Sequence, residues 1–241
     1  MKHYKAIFFD WDGTAVLSRT APADEAATAM KPLLASGVKR CIISGTTYEN
    51  IAGGKLHELF TPEERQNLFL GLARGAQGWG FGADGKRVLL GGLQPDRAAM
   101  AAVHTVSFDV HQELFLKYGF NTDIMFSRPN YCKIDLLPGA PRGEQLFFQV
   151  SEAEHLKEEL ELHGFSDGLR GLISLAEGLG EKHGFAVKAT TDAKYLEVGL
   201  STKSENVDFL MDYLKLSGQI AASGATSSSI LETACSAAMR R

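Results

Sequence analysis

Two short apolar runs, each stopped abruptly by a polar turn, constrain this chain more than any other feature. Tyr4 to Phe9 ends in Asp10-Trp11-Asp12-Gly13-Thr14, and Val38 to Ile43 ends in Ser44-Gly45-Thr46. Runs of this length without polar alternation suit strands covered on both faces of a parallel sheet. Between them, the stretch from about Ala23 to Ser36 reads as a helix closed by Gly37, with Pro32 implying a kink or a late start. Strand, helix and strand within about 40 residues make a βαβ unit. Both polar clusters fall at the carboxyl ends of strands, where sites in open α/β sheets gather.

Asn67 to Leu72 reads as a third strand. After Arg74-Gly75-Ala76, the stretch Gly78 to Leu90 reads as a hairpin turning at Ala83-Asp84-Gly85-Lys86. From Gln94 the texture changes. Pro95 to Tyr118 is expected as a long helix, Asp123 to Leu137 and Phe185 to Val198 as strands, and Ser151 to His163 and Asp167 to His183 as helices. The chain then resumes at Thr202-Lys203-Ser204-Glu205, a capping-box pattern, with Val207, Leu210, Met211 and Leu214 at helical spacing. The expected fold is α/β: a doubly wound, Rossmann-like parallel-sheet core over residues 1–92 and 199–241, with an α+β module inserted at 93–198.

A chain of 241 residues, 44% of them hydrophobic, can bury one large core or two modest ones. The formal net charge of -4, with no block of Lys or Arg, argues against a nucleic-acid partner. No stretch approaches the roughly 18 apolar residues of a membrane span, so no membrane partner is expected. Cys41, Cys132 and Cys235 form no CxxC pair and no even framework, which points to a reducing, cytoplasmic setting. His104 with His111, and His155 with His163, lie at helical spacing and read as surface or boundary residues rather than a zinc site. A monomer or a homodimer is expected.

Asp10 and Asp12 stand two apart at a strand terminus, where alternation sends them the same way, and Gly13 lets the backbone turn back towards them. Such a pair suits phosphoryl transfer: one carboxylate attacks phosphorus, while the other protonates the leaving oxygen and later activates water. Read alone, the pattern is equally a turn with an Asx cap. Ser44 and Gly45 offer a hydroxyl and an N–H to a phosphate oxygen, and Lys203 opens a helix whose dipole adds to its charge. Taken together and in this order, the elements are specific.

In these residues the chain resembles the haloacid dehalogenase superfamily of phosphatases, in the subgroup of Cof-type sugar-phosphate phosphatases and phosphomannomutase-like proteins. The family's first motif corresponds to Asp10-Trp11-Asp12-Gly13-Thr14, its second to Ser44 and its third to Lys203, while Arg74 stands where the family usually carries Asn. The 31 residues between Asp12 and Ser44 leave no room for a cap there, so the module at 93–198 resembles a cap of the second type. The resemblance implies Asp10 as nucleophile, Asp12 as general acid/base, and Ser44 and Lys203 as phosphate clamps. It places Gly13, Gly45 and Thr46 beside the substrate, and Mg²⁺ on the Asp10 carboxylate and the Asp12 backbone carbonyl. In the cap, Arg128, Lys133 and Arg142 read either as a grip for a sugar or second phosphate or as solvated cations. The implied partner is a small phosphorylated metabolite, with a hexose-phosphate mutase as the enzymatic alternative.

The family's fourth motif, Gly-Asp with a further Asp, is absent after Lys203. Gln219 to Arg241 holds 23 residues, 14 of them Ala, Ser, Thr or Gly, and Glu232 is its single carboxylate. Three readings stay open: Glu232 serves the metal, the protein binds phosphate without turnover, or the tail is out of frame. Suitable codons for Gly224-Ala225-Thr226-Ser227, read in triplets that start at a codon's third base, give Gly-Asp-Glu.

Overall fold

The computed structural model describes residues 4–139, 150–192 and 194–220. The chain divides into two compact units: one runs through Leu93 and resumes at Lys203, the other spans Gln94–Thr202.

The first unit is built on a five-stranded sheet of order β1-β2-β3-β4-β5: β1 (Ala6–Asp10), β2 (Lys39–Ile43), β3 (Leu68–Leu72), β4 (Gln77–Phe81) and β5 (Arg87–Gly91). The first three strands are parallel, with Asp10 opposite Ile43 and Ile43 opposite Gly71, and the last two add as an antiparallel hairpin. Strand alternation sorts the apolar side chains onto two helices. Ile42, Leu68, Leu70 and Leu72 join Ala27, Met30 and Leu34 of helix α1 (Asp24–Ala35) on one face. Phe8, Cys41, Ile43 and Phe69 meet Leu210, Met211 and Leu214 of helix α6 (Lys203–Leu216) on the other. A sheet with a helix on each face is the doubly wound, Rossmann-like α/β arrangement expected from the sequence.

Pro32 neither delays nor ends α1, contrary to the late start that its ring implies. The helix contains Pro32 and buries Ala27, Met30 and Leu34, which offsets one missing N–H near its last turn. It stops at Gly37 (φ +81°) in a Schellman arrangement, where the N–H groups of Gly37 and Val38 donate to the carbonyls of Leu34 and Leu33 at 3.0 Å each. A four-residue helix α2 (Pro62–Arg65) precedes β3 and carries a reciprocal capping box between Thr61 and Glu64.

In the second unit, a four-stranded antiparallel sheet of order β6-β7-β9-β8 packs against helices α3 (Arg97–Tyr118), α4 (Val150–Leu162) and α5 (Leu169–Lys182). The two stretches read above as single strands are hairpins: β6 (Asp123–Met125) with β7 (Tyr131–Asp135), and β8 (Lys188–Asp192) with β9 (Tyr195–Gly199). Pro129 has no N–H to give a ladder and interrupts the first stretch, and the second turns between Asp192 and Tyr195. Cys132, Ile134, Leu196 and Val198 face the helices, and Lys133 and Glu197 take the opposite face as cross-strand partners.

No helix among the described residues is long and apolar enough to cross a membrane. Cys41 and Cys132 are buried free thiols.

Candidate active site

The parity of β1 decides where Asp10 points. Ala6 and Phe8 lie on the α6 side of the sheet, so Asp10, two residues on, emerges at the strand end on that side. There the Lys203 ammonium, in the first turn of α6, donates to Asp10 Oδ2 at 2.8 Å. The Trp11 N–H donates to Asp10 Oδ1 at 2.9 Å, so both oxygens are oriented. Trp11 is itself buried in the α1-side core and anchors the turn that follows. Its carbonyl accepts from the N–H groups of Thr14, Ala15 and Val16, while the Gly13 N–H donates to Val16 O at 2.8 Å. Gly13 has φ +77°, which lets this tight loop close without strain.

Ser44 and Thr46 are buried at the end of β2. The Ser44 N–H donates to Gly71 O at 2.9 Å, and the Thr46 N–H to Ser44 Oγ at 3.3 Å, so the hydroxyl is held next to the backbone turn. A Cβ on Gly45 would lie 3.5 Å from Arg74 Cγ and 3.7 Å from Lys203 Cε, which draws β2, β3 and α6 to one point. Arg74 itself is buried after β3, and it and Ala73 both have positive φ, at +51° and +52°. Consecutive left-handed conformations in residues with a Cβ store strain of the kind that collects at functional sites.

Asp12 differs from Asp10 in its surroundings. Its Oδ1 is buried and has no hydrogen-bond partner among the described residues. Its Oδ2 lies 3.6 Å from the guanidinium of Arg19. Burial pushes the Asp12 carboxyl above the usual range, the Arg19 charge opposes this, and the neighbouring Asp10 reinforces it. A carboxyl pushed up in this way is suited to carry a proton.

The first unit thus brings together Asp10, Asp12, Gly13, Ser44, Gly45, Thr46 and Lys203. Arg128 is exposed in the turn between β6 and β7 of the second unit, and Arg142 and Glu232 lie outside the described residues. Lys133 is no solvated cation: its ammonium is buried against Glu197 at 2.8 Å. No group of three or more His, Cys, Asp or Glu side chains that could hold a metal ion occurs among the described residues. Two hard carboxylates side by side are nonetheless the donor chemistry that Mg²⁺ takes from proteins, which bind it by one or two carboxylates and complete its shell with substrate oxygens and water.

Two neighbours of the cluster escaped the sequence reading. Arg19, seven residues beyond Asp12 in a loop, carries no signal in the sequence. Asn206 could have been found, because it falls on the apolar stripe of α6 with Leu210 and Leu214. It is buried against Gly71, donating to Leu72 O at 3.1 Å.

No protein-family model matches the sequence, and neither does any curated protein. Among solved structures, IMP-nucleotidase of Plasmodium falciparum superposes with a TM-score of 0.59 at 13% identity, over 88% of this chain and 56% of that one. An IMP-bound mutant of the same enzyme gives 0.61 at 12%, over 88% and 55%, and its ATP-bound form 0.58 at 12%, over 88% and 49%. The likeness is one of fold. This chain spans about half the length of those structures, and it shares their α/β architecture with a Rossmann-like core.

Proposed function

We propose that this protein is a haloacid dehalogenase-type phosphatase, a Mg²⁺-dependent phosphomonoesterase of small phosphorylated metabolites, sugar phosphates foremost, acting in the cytoplasm through an aspartyl-phosphate intermediate. The observation that carries this reading is the Lys203 ammonium 2.8 Å from Asp10 Oδ2, across 193 residues of sequence, at the strand ends that also hold Ser44 and Gly45.

In the reaction so assigned, Lys203, the Ser44 hydroxyl and the Gly45 N–H bind the phosphate oxygens. An Asp10 carboxylate oxygen forms a bond to phosphorus as the ester P–O bond breaks. The electron pair of that bond leaves on the alcohol oxygen, which takes a proton from Asp12. Water then attacks the phosphorus of the aspartyl phosphate and gives a proton to Asp12, while the bond from Asp10 to phosphorus breaks with its electron pair returning to the Asp10 carboxylate, and inorganic phosphate is released. Mg²⁺, held by the Asp10 carboxylate and the Asp12 backbone carbonyl, would neutralise the repulsion between an anionic nucleophile and a phosphate dianion. No nucleic acid or membrane takes part, and the protein works as a monomer or homodimer.

The test is release of inorganic phosphate from p-nitrophenyl phosphate, hexose phosphates and nucleoside monophosphates including IMP, with Mg²⁺ and with EDTA. Hexose phosphates are expected to be turned over and EDTA to stop the reaction. Absence of release from every ester would end the phosphatase reading, and return of phosphoryl to sugar rather than water would turn it into a mutase.

A further inference from the structure

The loop after the carboxylate pair carries a residue that neither the motif pattern nor the assigned chemistry uses. Arg19 lies between Ser18 and Thr20, whose hydroxyls are 3.3 Å apart, and its guanidinium reaches back to Asp12 Oδ2 at 3.6 Å. Asp12 faces three charged side chains: Arg19, Asp10 and Lys203. Lys203 donates to Asp10, leaving Arg19 as the cation that faces the Asp12 carboxylate directly. The other oxygen, Oδ1, is buried with no hydrogen-bond partner among the described residues. An unpaired buried carboxylate oxygen costs free energy, so this asymmetry needs a reason.

We infer that Arg19 is the positioning residue for Asp12: it holds Oδ2 and thereby presents Oδ1 to the reacting ester oxygen. A guanidinium only donates hydrogen bonds, so the oxygen facing it is a poor seat for the acid proton, which is left to Oδ1. The charge also fixes the carboxyl plane, and proton transfer demands that geometry before anything else. Arg19 touches no reacting atom itself. The inference rests on the phosphatase reading above and adds to it a residue on which the acid step depends.

The leaving group separates this role from others. A sugar or glycerol alkoxide needs a proton as it departs, whereas nitrophenolate departs without one. Arg19→Met and Arg19→Lys, each checked for an unchanged near-ultraviolet circular dichroism spectrum, are compared with the wild-type chain on an alkyl phosphate and on p-nitrophenyl phosphate. For Arg19→Met, kcat on the alkyl ester is expected to fall by about 10²-fold, in the range lost with general acid catalysis. KM should stay within about threefold, and kcat on the aryl ester within about fivefold. Arg19→Lys should recover part of the alkyl activity by restoring the charge. Equal losses on both esters, or a loss confined to KM, would make Arg19 a phosphate ligand and overturn the inference while leaving the phosphatase reading intact. Unchanged activity in Arg19→Met would do the same. A wild-type chain inactive on both esters would remove the reading and the inference together.

Discussion

The two sheets spend their charged residues in opposite ways. In the first unit, the charges sit at the ends of parallel strands and are only partly matched: Asp10 is paired with Lys203 in a half-exposed position, and Asp12 keeps a buried oxygen without a hydrogen-bond partner among the described residues. In the second unit, Lys133 and Glu197 sit mid-strand and Asp135, Asp192 and Lys194 at strand ends or in the adjoining turn, and they are closely matched. Lys133 lies against Glu197 at 2.8 Å with Asp192 at 3.5 Å, and Lys194 donates to the Leu137 carbonyl at 2.8 Å and pairs with Asp135 at the same distance. The cause is topological. Parallel strands linked by crossovers end together at one rim, where successive turns bring unlike residues side by side. An antiparallel ladder sets residues opposite each other at fixed register, so Lys133 and Glu197 meet as cross-strand partners. Incomplete matching leaves groups available for chemistry, and complete matching holds a sheet together.

The largest effect should come from the first sheet and appear in activity alone. Asp10→Asn keeps the shape of the side chain and its bond from the Trp11 N–H but removes the attacking carboxylate, so kcat should fall by at least roughly 10³-fold with the unfolding midpoint nearly unchanged. Residual turnover above about one part in a hundred would show that Asp10 is not the nucleophile. The second sheet should give the mirror image, a loss of stability. Glu197→Ala leaves the Lys133 ammonium buried with the more distant Asp192 carboxylate and the Tyr195 ring beside it, and should cost about 3 kcal/mol in denaturant unfolding. The paired change Lys133→Met with Glu197→Leu should restore most of that loss. A cost below about 1 kcal/mol for Glu197→Ala would mean that this polar face is not held by its ion pairs, and the contrast would collapse.

How far the sequence revealed each unit follows from the same contrast. Apolar runs without alternation and abrupt polar stops mark β1, β2 and β3, and the same stops hold Asp10, Asp12, Ser44 and Gly45, so fold and candidate site were legible together. The second sheet was legible as strand but not as hairpins. The turn between β8 and β9 contains neither Gly nor Pro, and the Pro129-Asn130 pair before β7 lies inside a stretch whose alternation otherwise continues. The ion pairs depend on register, which neither strand specifies alone. Arg19 was hidden for a related reason: a loop cation has no periodicity, and only the path of the loop brings it to Asp12. Asn206 carried a readable sign, a polar residue on an apolar stripe.

That residue offers a smaller test, joining packing to chemistry in the first unit. A Cβ on Gly71 would fall 2.6 Å from Asn206 Cβ and 2.8 Å from Ile43 Cδ1. Gly71→Ala therefore has to push the first turn of α6, with Lys203 in it, away from the strand ends. The expected cost is about 1–3 kcal/mol in stability and roughly 10-fold in kcat, because a displaced clamp misaligns the phosphate. If stability falls and kcat does not, Lys203 lies outside the reacting geometry and the Asp10 pair is structural, like those of the second unit.

The smallest effect tests whether the two units unfold independently. Asp96 caps helix α3, with its carboxylate accepting from the Ala99 N–H at 2.8 Å, and α3 supplies Val103, Val106, Val110 and Leu114 to the core of the second unit. Thr61 caps α2 in the first unit, accepting from the Glu64 N–H at 3.3 Å. Each cap replaced by Ala should cost about 1 kcal/mol, since one N–H loses its acceptor. Followed by amide hydrogen exchange, Asp96→Ala should speed exchange in α3 and in β7 and β9 beneath it, leaving β1, β2 and β3 at their wild-type rates, and Thr61→Ala should do the reverse. Faster exchange throughout both sheets in either variant would mean that the units unfold as one. The matched charges of the second would then support the unmatched charges of the first, and the Glu197→Ala variant should lose activity in step with stability.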